Sequence, residues 1–310
     1  MKGLNFVWNP DLSQLTSASI VTATGQIFFT LSLGMGIICN YASYLQPDED
    51  IVTASVATVA LNEFAEVILA GTSVIPISYA FLGPEGIKGS IGLAFMALPN
   101  VFTTMAGGRI FGAVWFFLLF FAGFTSAIAM YNYLVALLEE ELGVQRKKGA
   151  LLIFVLYLIV GAPIAAEGII TGEANLIYFT EVDNWIGNYL LIVLGLLEVI
   201  TLAWLVRDDG LVEMNKGGLW HVPKWFYKLF HQFLTPICII VFLGIFTRDY
   251  WIAGNFKIIP SYINGIEYMA PWVNAARLVV VVVLIIGFIQ THRAIKRKYK
   301  DEIETNKANA

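Results

Sequence analysis

Charged residues are scarce in this chain of 310 residues. Asp, Glu, Lys and Arg together make up 14% of it, against roughly 25% in soluble domains. Hydrophobic residues reach 58%. A soluble fold cannot bury so large an apolar surface, so the composition excludes a water-soluble protein and predicts a membrane protein.

Cysteine and histidine are also rare, with two and three copies. Cys39 and Cys238 lie in apolar runs, where a thiol acts as a small hydrophobe, and two cysteines form no disulfide framework. No histidine has a second ligand at metal spacing, and no His-Glu-x-x-His or Gly-x-Ser-x-Gly motif occurs. The formal net charge of -4 comes with no basic face. We therefore predict no enzyme active site, no histidine metal site and no nucleic-acid partner.

Long apolar runs occupy most of the chain. A membrane crossing needs about 20 mostly apolar residues. Runs of that length predict seven spans, at residues 17-45, 51-82, 109-138, 148-168, 184-206, 230-248 and 271-293. The prediction is an all-α polytopic membrane protein with a single transmembrane domain over 1-310, an extracellular loop with short helices at 84-108, and a cytoplasmic tail at 294-310.

Basic residues fall at alternate ends of the predicted spans, at 145-148, 216-228 and 293-298. The positive-inside rule assigns these loops to the cytoplasm. We predict a multi-pass plasma-membrane protein with its N-terminus outside and its C-terminus cytoplasmic. Because no signal peptide accounts for an external N-terminus, we expect the sequence to start partway through a longer protein.

The first predicted span contains residues that disrupt a helix at its centre. Ser32, Gly34 and Gly36 fall at bilayer depth, where each glycine costs about 1 kcal/mol relative to alanine. Unwound backbone in a membrane must be buried in protein or line a cavity, where it binds cations and zwitterions. The alternative is a kink, or close helix packing through small residues.

The second span places polar side chains on one helical face, at Ser55, Thr58, Asn62 and Glu66, with Glu63 beside them. Intramembrane carboxylates are costly and normally face the bundle interior, so they predict a functional site. The Asn62 side-chain oxygen suits a hard cation such as sodium. An interhelical hydrogen bond from Asn62 is the alternative.

Two further spans carry polar groups. Thr125 and Ser126 in the third span can complete an oxygen cage, although hydroxyls in membrane helices more often bond back to the preceding turn. Glu198 in the fifth span is either a structural acid paired across helices or a protonatable site. The sequence does not choose between these interpretations.

Residues 25-44 closely resemble the discontinuous sixth helix of the neurotransmitter:sodium symporter family, in particular of its bacterial amino-acid transporters with the LeuT fold. The likeness continues in order through ALNEFAE at 60-66, LPNVF at 98-102, MAGG at 105-108 and WFFLLFFAGFTS at 115-126. It implies the C-terminal part of an inverted-repeat transporter, with the sixth to twelfth of about twelve helices.

The resemblance also implies the sites. Thr30 and Asn62 would help to bind a first sodium ion, and the Ala122 carbonyl with Thr125 and Ser126 a second. The implied substrate pocket consists of Phe29, Thr30, Ser32, Leu33, Gly34, Met35, Ile38, Ser126 and Met130.

Gating residues follow from the same resemblance. Phe29 and Asp183 would belong to the outer gate, Glu140 to the inner gate, and Tyr44 would brace the inner gate. Glu66 stands where chloride-dependent relatives bind chloride, which implies independence of chloride.

The implied function is sodium-coupled uptake of a neutral, hydrophobic amino acid by alternating access, with sodium ions as the coupling ions. Met35, Ile38 and Met130 are typical of an apolar pocket of adaptable volume. The expected partners are the lipid bilayer and the missing N-terminal helices, or a partner chain that carries them. The alternative is a truncated or split-gene product that does not transport alone.

Overall fold

The computed structural model describes residues 2-83, 93-172, 175-263 and 266-300, and these residues form helices and connecting turns without a strand. The α-helices are α1 Lys2–Trp8, α2 Ser17–Thr30, α3 Ile37–Ala42, α4 Ile51–Glu63, α5 Thr72–Leu82, α6 Leu98–Thr104, α7 Gly108–Glu140, α8 Arg146–Thr171, α9 Ile177–Val182, α10 Leu191–Ile200, α11 Asp208–Met214, α12 Lys224–Tyr227, α13 Thr235–Ile252 and α14 Ala270–Lys298. Wider π-helical turns form Phe64–Gly71, Leu93–Ala97, Asp183–Leu190, Thr201–Val206 and Lys228–Leu234. The predicted all-α class is confirmed.

Six helical stretches in the described residues are long and apolar enough to cross a membrane. They are Ile51–Ala80, Gly108–Leu142, Arg146–Thr171, Ile177–Val206, Lys224–Ile252 and Glu267–Lys298. The remaining predicted span, 17-45, is divided between α2 and α3, which makes it the discontinuous helix of the predicted fold.

The predicted loop and tail differ from simple irregular segments. The loop at 84-108 is helical from residue 93 to 104, and residues 84-92 lie outside the described part. The tail predicted to begin at residue 294 is still helical as far as Lys298, because basic side chains in a last turn favour the helix dipole. Residues 301-310 lie outside the described part.

The chain divides into two compact units. The first comprises residues 1-19, 45-128 and 206-227, and the second comprises 20-44, 129-205 and 228-310. The extent of a single transmembrane domain over 1-310 stays a prediction.

In the first unit, α1 packs against α5, where Gly3 approaches Pro76 so closely that an added Cβ would lie 2.7 Å from its Cα. Asp50 caps α4 by accepting the N–H of Thr53 at 2.9 Å. This hydrogen bond holds the pKa of Asp50 below its ordinary value. The cap is therefore present at neutral pH and is lost as the pH falls through that pKa.

The turn between α11 and α12 is closed by a pair of hydrogen bonds. The Asn215 side chain donates to the Val222 carbonyl at 3.1 Å and accepts the Val222 N–H at 2.8 Å. Gly217 lies inside this turn, with φ of 66° and no room for a side chain against the Asp48 carbonyl. The turn is thus tied to the residues that precede α4.

We expect Gly217→Ala to lower the melting temperature of the purified protein. An added Cβ would lie 1.8 Å from the Asp48 oxygen, and a strained left-handed residue alone costs about 1 to 3 kcal/mol. Gly123→Ala in α7 is the control, because its Cβ meets nothing within 4 Å and alanine favours a helix by about 1 kcal/mol. Equal melting temperatures for the two variants would contradict the expectation.

The core of the second unit lies where α9 packs along α14. Tyr178 of α9 is buried, as are Val273 and Ala276 of α14. The Tyr178 hydroxyl donates to the Val160 carbonyl at 3.1 Å, which attaches α9 to α8 as well. The short helix α9 is therefore held on two sides.

Candidate functional site

The discontinuous helix is unwound over residues 31-36. Ser32, Gly34 and Gly36 all adopt left-handed backbone conformations, with φ of 55°, 73° and 71°. Glycine takes this conformation at little cost, whereas other residues are strained in it. Three such residues at alternate positions end one helix and start another, so the break is an unwound segment and not a simple kink.

Glu198 of α10 binds the unwound segment. Its Oε2 accepts the backbone N–H of Gly34 at 3.0 Å. A free N–H at bilayer depth is costly without an acceptor, and this carboxylate supplies one. Of the two interpretations of Glu198, the contact corresponds to a structural acid that pairs across helices, with a backbone group as its partner.

The two glycines of the segment lie against neighbouring helices. An added Cβ on Gly34 would be 2.7 Å from the Leu191 carbonyl oxygen, and one on Gly36 would be 2.3 Å from Cζ of Tyr133. The first contact is to backbone, which cannot move independently, and the second is to the end of a side chain. Only glycine fits these positions without a shift of the neighbours.

A cavity of about 530 Å³ lies beside the unwound segment, within the second unit. Ligand pockets typically measure about 300 to 1,000 Å³. Four predicted substrate residues line it, namely Phe29, Gly34, Met35 and Met130. The other walls come from α7 to α10 and α14, with Tyr133, Leu134, Tyr157, Phe179, Val182, Asp183, Ile186, Leu190, Leu194, Val280 and Leu284 among the lining residues. The cavity suits an apolar ligand of small-molecule size.

Asp183 is the carboxylate among the described lining residues of this cavity. It opens the π-helical turn Asp183–Leu190, a geometry that often marks functional sites. Its carboxylate lies over Gly187, where an added Cβ would be 2.3 Å from Oδ1, and the Asn188 amide donates to Oδ2 at 3.4 Å. The negative charge is thus presented at one side of an otherwise apolar cavity.

The other predicted substrate residues lie outside the cavity walls. Thr30, Ser32, Leu33 and Ile38 belong to the same broken helix, and Leu33 and Ile38 are exposed. Ser126 belongs to the first unit.

The hydroxyl groups among the predicted sodium ligands of α7 bond back to the preceding turn, which was the alternative to an oxygen cage. The Thr125 hydroxyl donates to the carbonyls of Phe121 and Ala122 at 3.0 and 3.1 Å, and the Ser126 hydroxyl donates to Ala122 at 3.2 Å. Their oxygen lone pairs are not used by these bonds. A role in ion binding stays a prediction.

The other predicted sodium ligands lie in different units. Thr30 ends α2 in the second unit, and Asn62 lies in α4 of the first unit. The Asn62 amide is 3.5 Å from Oε2 of Glu66. The predicted stripe, which runs from α4 into the π-helical turn Phe64–Gly71, therefore brings at least these two polar groups together.

The predicted inner-gate acid, Glu140, is the last residue of α7. The acids on either side of it form ion pairs, Glu139 with Arg146 at 3.1 Å and Glu141 with Lys298 at 2.9 Å. Tyr44 follows α3 and is exposed.

Comparison with known proteins decides the family. A family model described as "Sodium:neurotransmitter symporter family" matches residues 1-294. The chain belongs to this family. The resemblance noted in the sequence is thereby confirmed, and the family consists of transporters and not of enzymes.

Relatives of this symporter-family chain include an uncharacterized sodium-dependent transporter of Methanocaldococcus jannaschii, 33% identical over 271 residues that cover 83% of the chain and 53% of the relative. A sodium-dependent nutrient amino acid transporter of Drosophila grimshawi is 25% identical over 77% of the chain and 38% of its own length. The crystal structure of MhsT in complex with L-phenylalanine matches with a TM-score of 0.67 and 29% identity, over 79% of the chain and 56% of MhsT. The LeuT-type fold is confirmed, and the chain spans about half the length of the first relative.

Several cavity residues of this symporter-family chain were not predicted from the sequence. Tyr157 of α8, Phe179 of α9, and Val280 and Leu284 of α14 all line the cavity. Apolar residues that face a cavity have the same sequence pattern as residues that face lipid. The hydroxyl of Tyr157, at bilayer depth, is the one feature of this group that could have drawn notice.

Proposed function

We propose that this chain is the C-terminal part of a sodium-coupled symporter that moves a neutral, hydrophobic amino acid across the plasma membrane by alternating access. The observation that carries the proposal is the unwound segment beside the apolar cavity. Backbone N–H and carbonyl groups released from a helix can bind the charged ends of an amino acid, while the cavity receives its side chain.

The cavity supports a large hydrophobic substrate. Phe29, Met35 and Met130 line it, and methionine adapts to side chains of different shape. MhsT was crystallised with L-phenylalanine, and the Drosophila relative is named an amino acid transporter. We infer an aromatic or large aliphatic amino acid.

Two sodium sites form part of the proposal, with Thr30 and Asn62 at the first and Ala122, Thr125 and Ser126 at the second. Hydroxyl groups that donate to carbonyls retain lone pairs for a hard cation. At the first site, Glu66 next to Asn62 supplies a fixed negative charge. That charge supports transport without chloride.

We propose gates at both ends of the substrate path across the membrane. Asp183, with Phe29, would close the outer side, and Glu140, braced by Tyr44, the inner side. The N-terminus would lie outside and the C-terminus in the cytoplasm, as the basic loops indicate.

The second candidate is a chain that does not transport alone. It is supported by the coverage of about half of the relatives, 53% of the Methanocaldococcus protein and 56% of MhsT. In this case the missing helices, from the same transporter or a partner chain, would supply the remaining ligands and the basic partners of the gate acids.

Uptake measurements test the sodium proposal. Proteoliposomes that hold the chain together with its five preceding helices should take up labelled phenylalanine or leucine in external sodium, and replacement of sodium by choline should abolish uptake. Replacement of chloride by gluconate is the control and should have little effect. Unchanged uptake in choline would refute sodium coupling, and full uptake by this chain alone would refute the second candidate.

A further inference from the structure

Two carboxylates are buried in the described residues, and both hold the short helix α9. Glu167 of α8 is 1% exposed and accepts the N–H groups of Ile177 and Tyr178 at 2.7 and 2.9 Å. Glu181 of α9 is completely buried. The first acid fixes the start of α9, and the second lies near its end.

Glu181 accepts hydrogen bonds from three side chains. Arg277 Nε lies 2.6 Å from Oε1, Trp185 Nε1 lies 2.9 Å from Oε1, and the Tyr262 hydroxyl lies 2.5 Å from Oε2. Burial and the bond to Glu181 raise the pKa of Tyr262, so its hydroxyl keeps the proton that it donates. The carboxylate is held in one orientation from three directions.

Arg277 extends the cluster to the segment between α13 and α14. Its two terminal nitrogens donate to the carbonyls of Lys257 and Asn255, at 2.7 and 2.6 Å. One guanidinium therefore joins α14, α9 and the 255-257 backbone. A lysine ammonium is a point charge and cannot reproduce this planar set of bonds.

A buried ion pair is a costly way to hold two helices together, and apolar packing often serves as well. α9 and α14 are already packed together, and Val273 and Ala276 of α14 are buried. The ion pair adds a defined orientation, because the planar guanidinium and carboxylate groups fix the rotation of α9 about its axis.

That rotation determines where Asp183 points. Asp183 follows Glu181 by two residues, which turns a helical side chain by about 200°. Glu181 faces Arg277 on α14, so Asp183 is directed to the other side, where it lines the cavity. A shift of the Glu181 carboxylate would move Asp183 as well, because α9 continues directly into the π-helical turn that begins at Asp183.

We propose that Arg277 and Glu181 are positioning residues for Asp183, and that through Arg277 the 255-257 segment is coupled to the outer gate. The inference rests on the proposed function, in which Asp183 closes the outer side. The coupling predicts that any change of the Arg277 contacts alters substrate binding only through its effect on Asp183.

A double-mutant cycle in the assembled transporter tests this coupling. Equilibrium binding of labelled phenylalanine is measured in saturating sodium for the wild type, Asp183→Asn, Arg277→Lys and the double variant. We expect each single change to weaken binding about tenfold, and the double variant to be weakened about tenfold as well, because both act on one group. A purely structural role would make the effects multiply to about a hundredfold.

Two further variants complete the experiment. Arg248→Lys is the matched control, since Arg248 also pairs with an acid, Asp249 at 2.8 Å, but is 59% exposed; its binding should stay within about twofold. Tyr262→Phe removes a single donor to Glu181 and serves if Arg277→Lys does not fold. We expect Tyr262→Phe to weaken phenylalanine binding about threefold. This effect should likewise vanish in the Asp183→Asn background.

The outcomes separate the two proposals. Absence of sodium-dependent binding in the wild type would overturn the proposed function. Normal binding in the wild type, together with a multiplicative double variant or an unaffected Arg277→Lys, would overturn the positioning role alone. An unaffected Asp183→Asn would overturn both the positioning role and the assignment of Asp183 to the outer gate, while leaving sodium-coupled binding intact.

Discussion

Gly34→Ala is expected to weaken phenylalanine binding by about tenfold to a hundredfold. The residue has φ of 73°, and an added Cβ would lie 2.7 Å from the Leu191 carbonyl oxygen and 3.2 Å from the Gly195 nitrogen. The left-handed conformation costs about 1 to 2 kcal/mol for a residue with a Cβ. Because the close atoms are backbone, relief requires movement of the unwound segment itself, and with it the Glu198 contact.

Equilibrium binding to the assembled transporter in sodium measures this effect. Gly287→Ala in α14 is the control, since an added Cβ there meets nothing within 4 Å. Gly36→Ala should have a smaller effect than Gly34→Ala, because the obstructing group is the mobile end of the Tyr133 side chain. Wild-type affinity in Gly34→Ala would show that the unwound conformation is not needed for binding.

Features set by local sequence were predicted well. Composition alone gave the membrane class, and the run of Ser32, Gly34 and Gly36 predicted the break that the structure places at residues 31-36. Each glycine weakens a helix by about 1 kcal/mol relative to alanine, so the local pattern indicated the position of the break, although a kink or close packing through small residues was the alternative. The family followed from motifs that occur in order along the chain, and the family match confirmed it.

Features that depend on long-range contacts could not be predicted. Glu198 lies 164 residues from Gly34 along the chain, so the sequence left its two interpretations open. Glu181 and Arg277 are 96 residues apart, and no sequence motif links them. Pairing across such distances is set by the tertiary fold, which has no local sequence pattern.

The cavity illustrates the same limit for apolar residues. The resemblance indicated Phe29, Gly34, Met35 and Met130, which do line it. It gave no indication of Tyr157 and the walls from α9 and α14. Hydrophobic periodicity reports that a helix face is apolar but not whether lipid, protein or substrate covers it.

Substitution of Glu198 is also expected to have a large effect on phenylalanine binding. Glu198→Ala removes the acceptor of the Gly34 N–H, and an unsatisfied N–H costs about 1 to 3 kcal/mol, which corresponds to about fivefold to 150-fold in binding. Glu198→Gln keeps a side-chain oxygen for the same bond and should retain affinity within about threefold. Phenylalanine binding in sodium distinguishes the two variants.

The relative affinities of these two variants for phenylalanine show what Glu198 contributes. If the glutamine variant binds well and the alanine variant poorly, the acceptor is what holds the unwound segment in its binding conformation. Equal losses would instead assign the effect to the charge or to a proton, which contradicts a role limited to the Gly34 hydrogen bond. Glu213→Ala is the control for loss of an acid, because Glu213 lies in an exposed ion pair with Lys216, and such pairs contribute little.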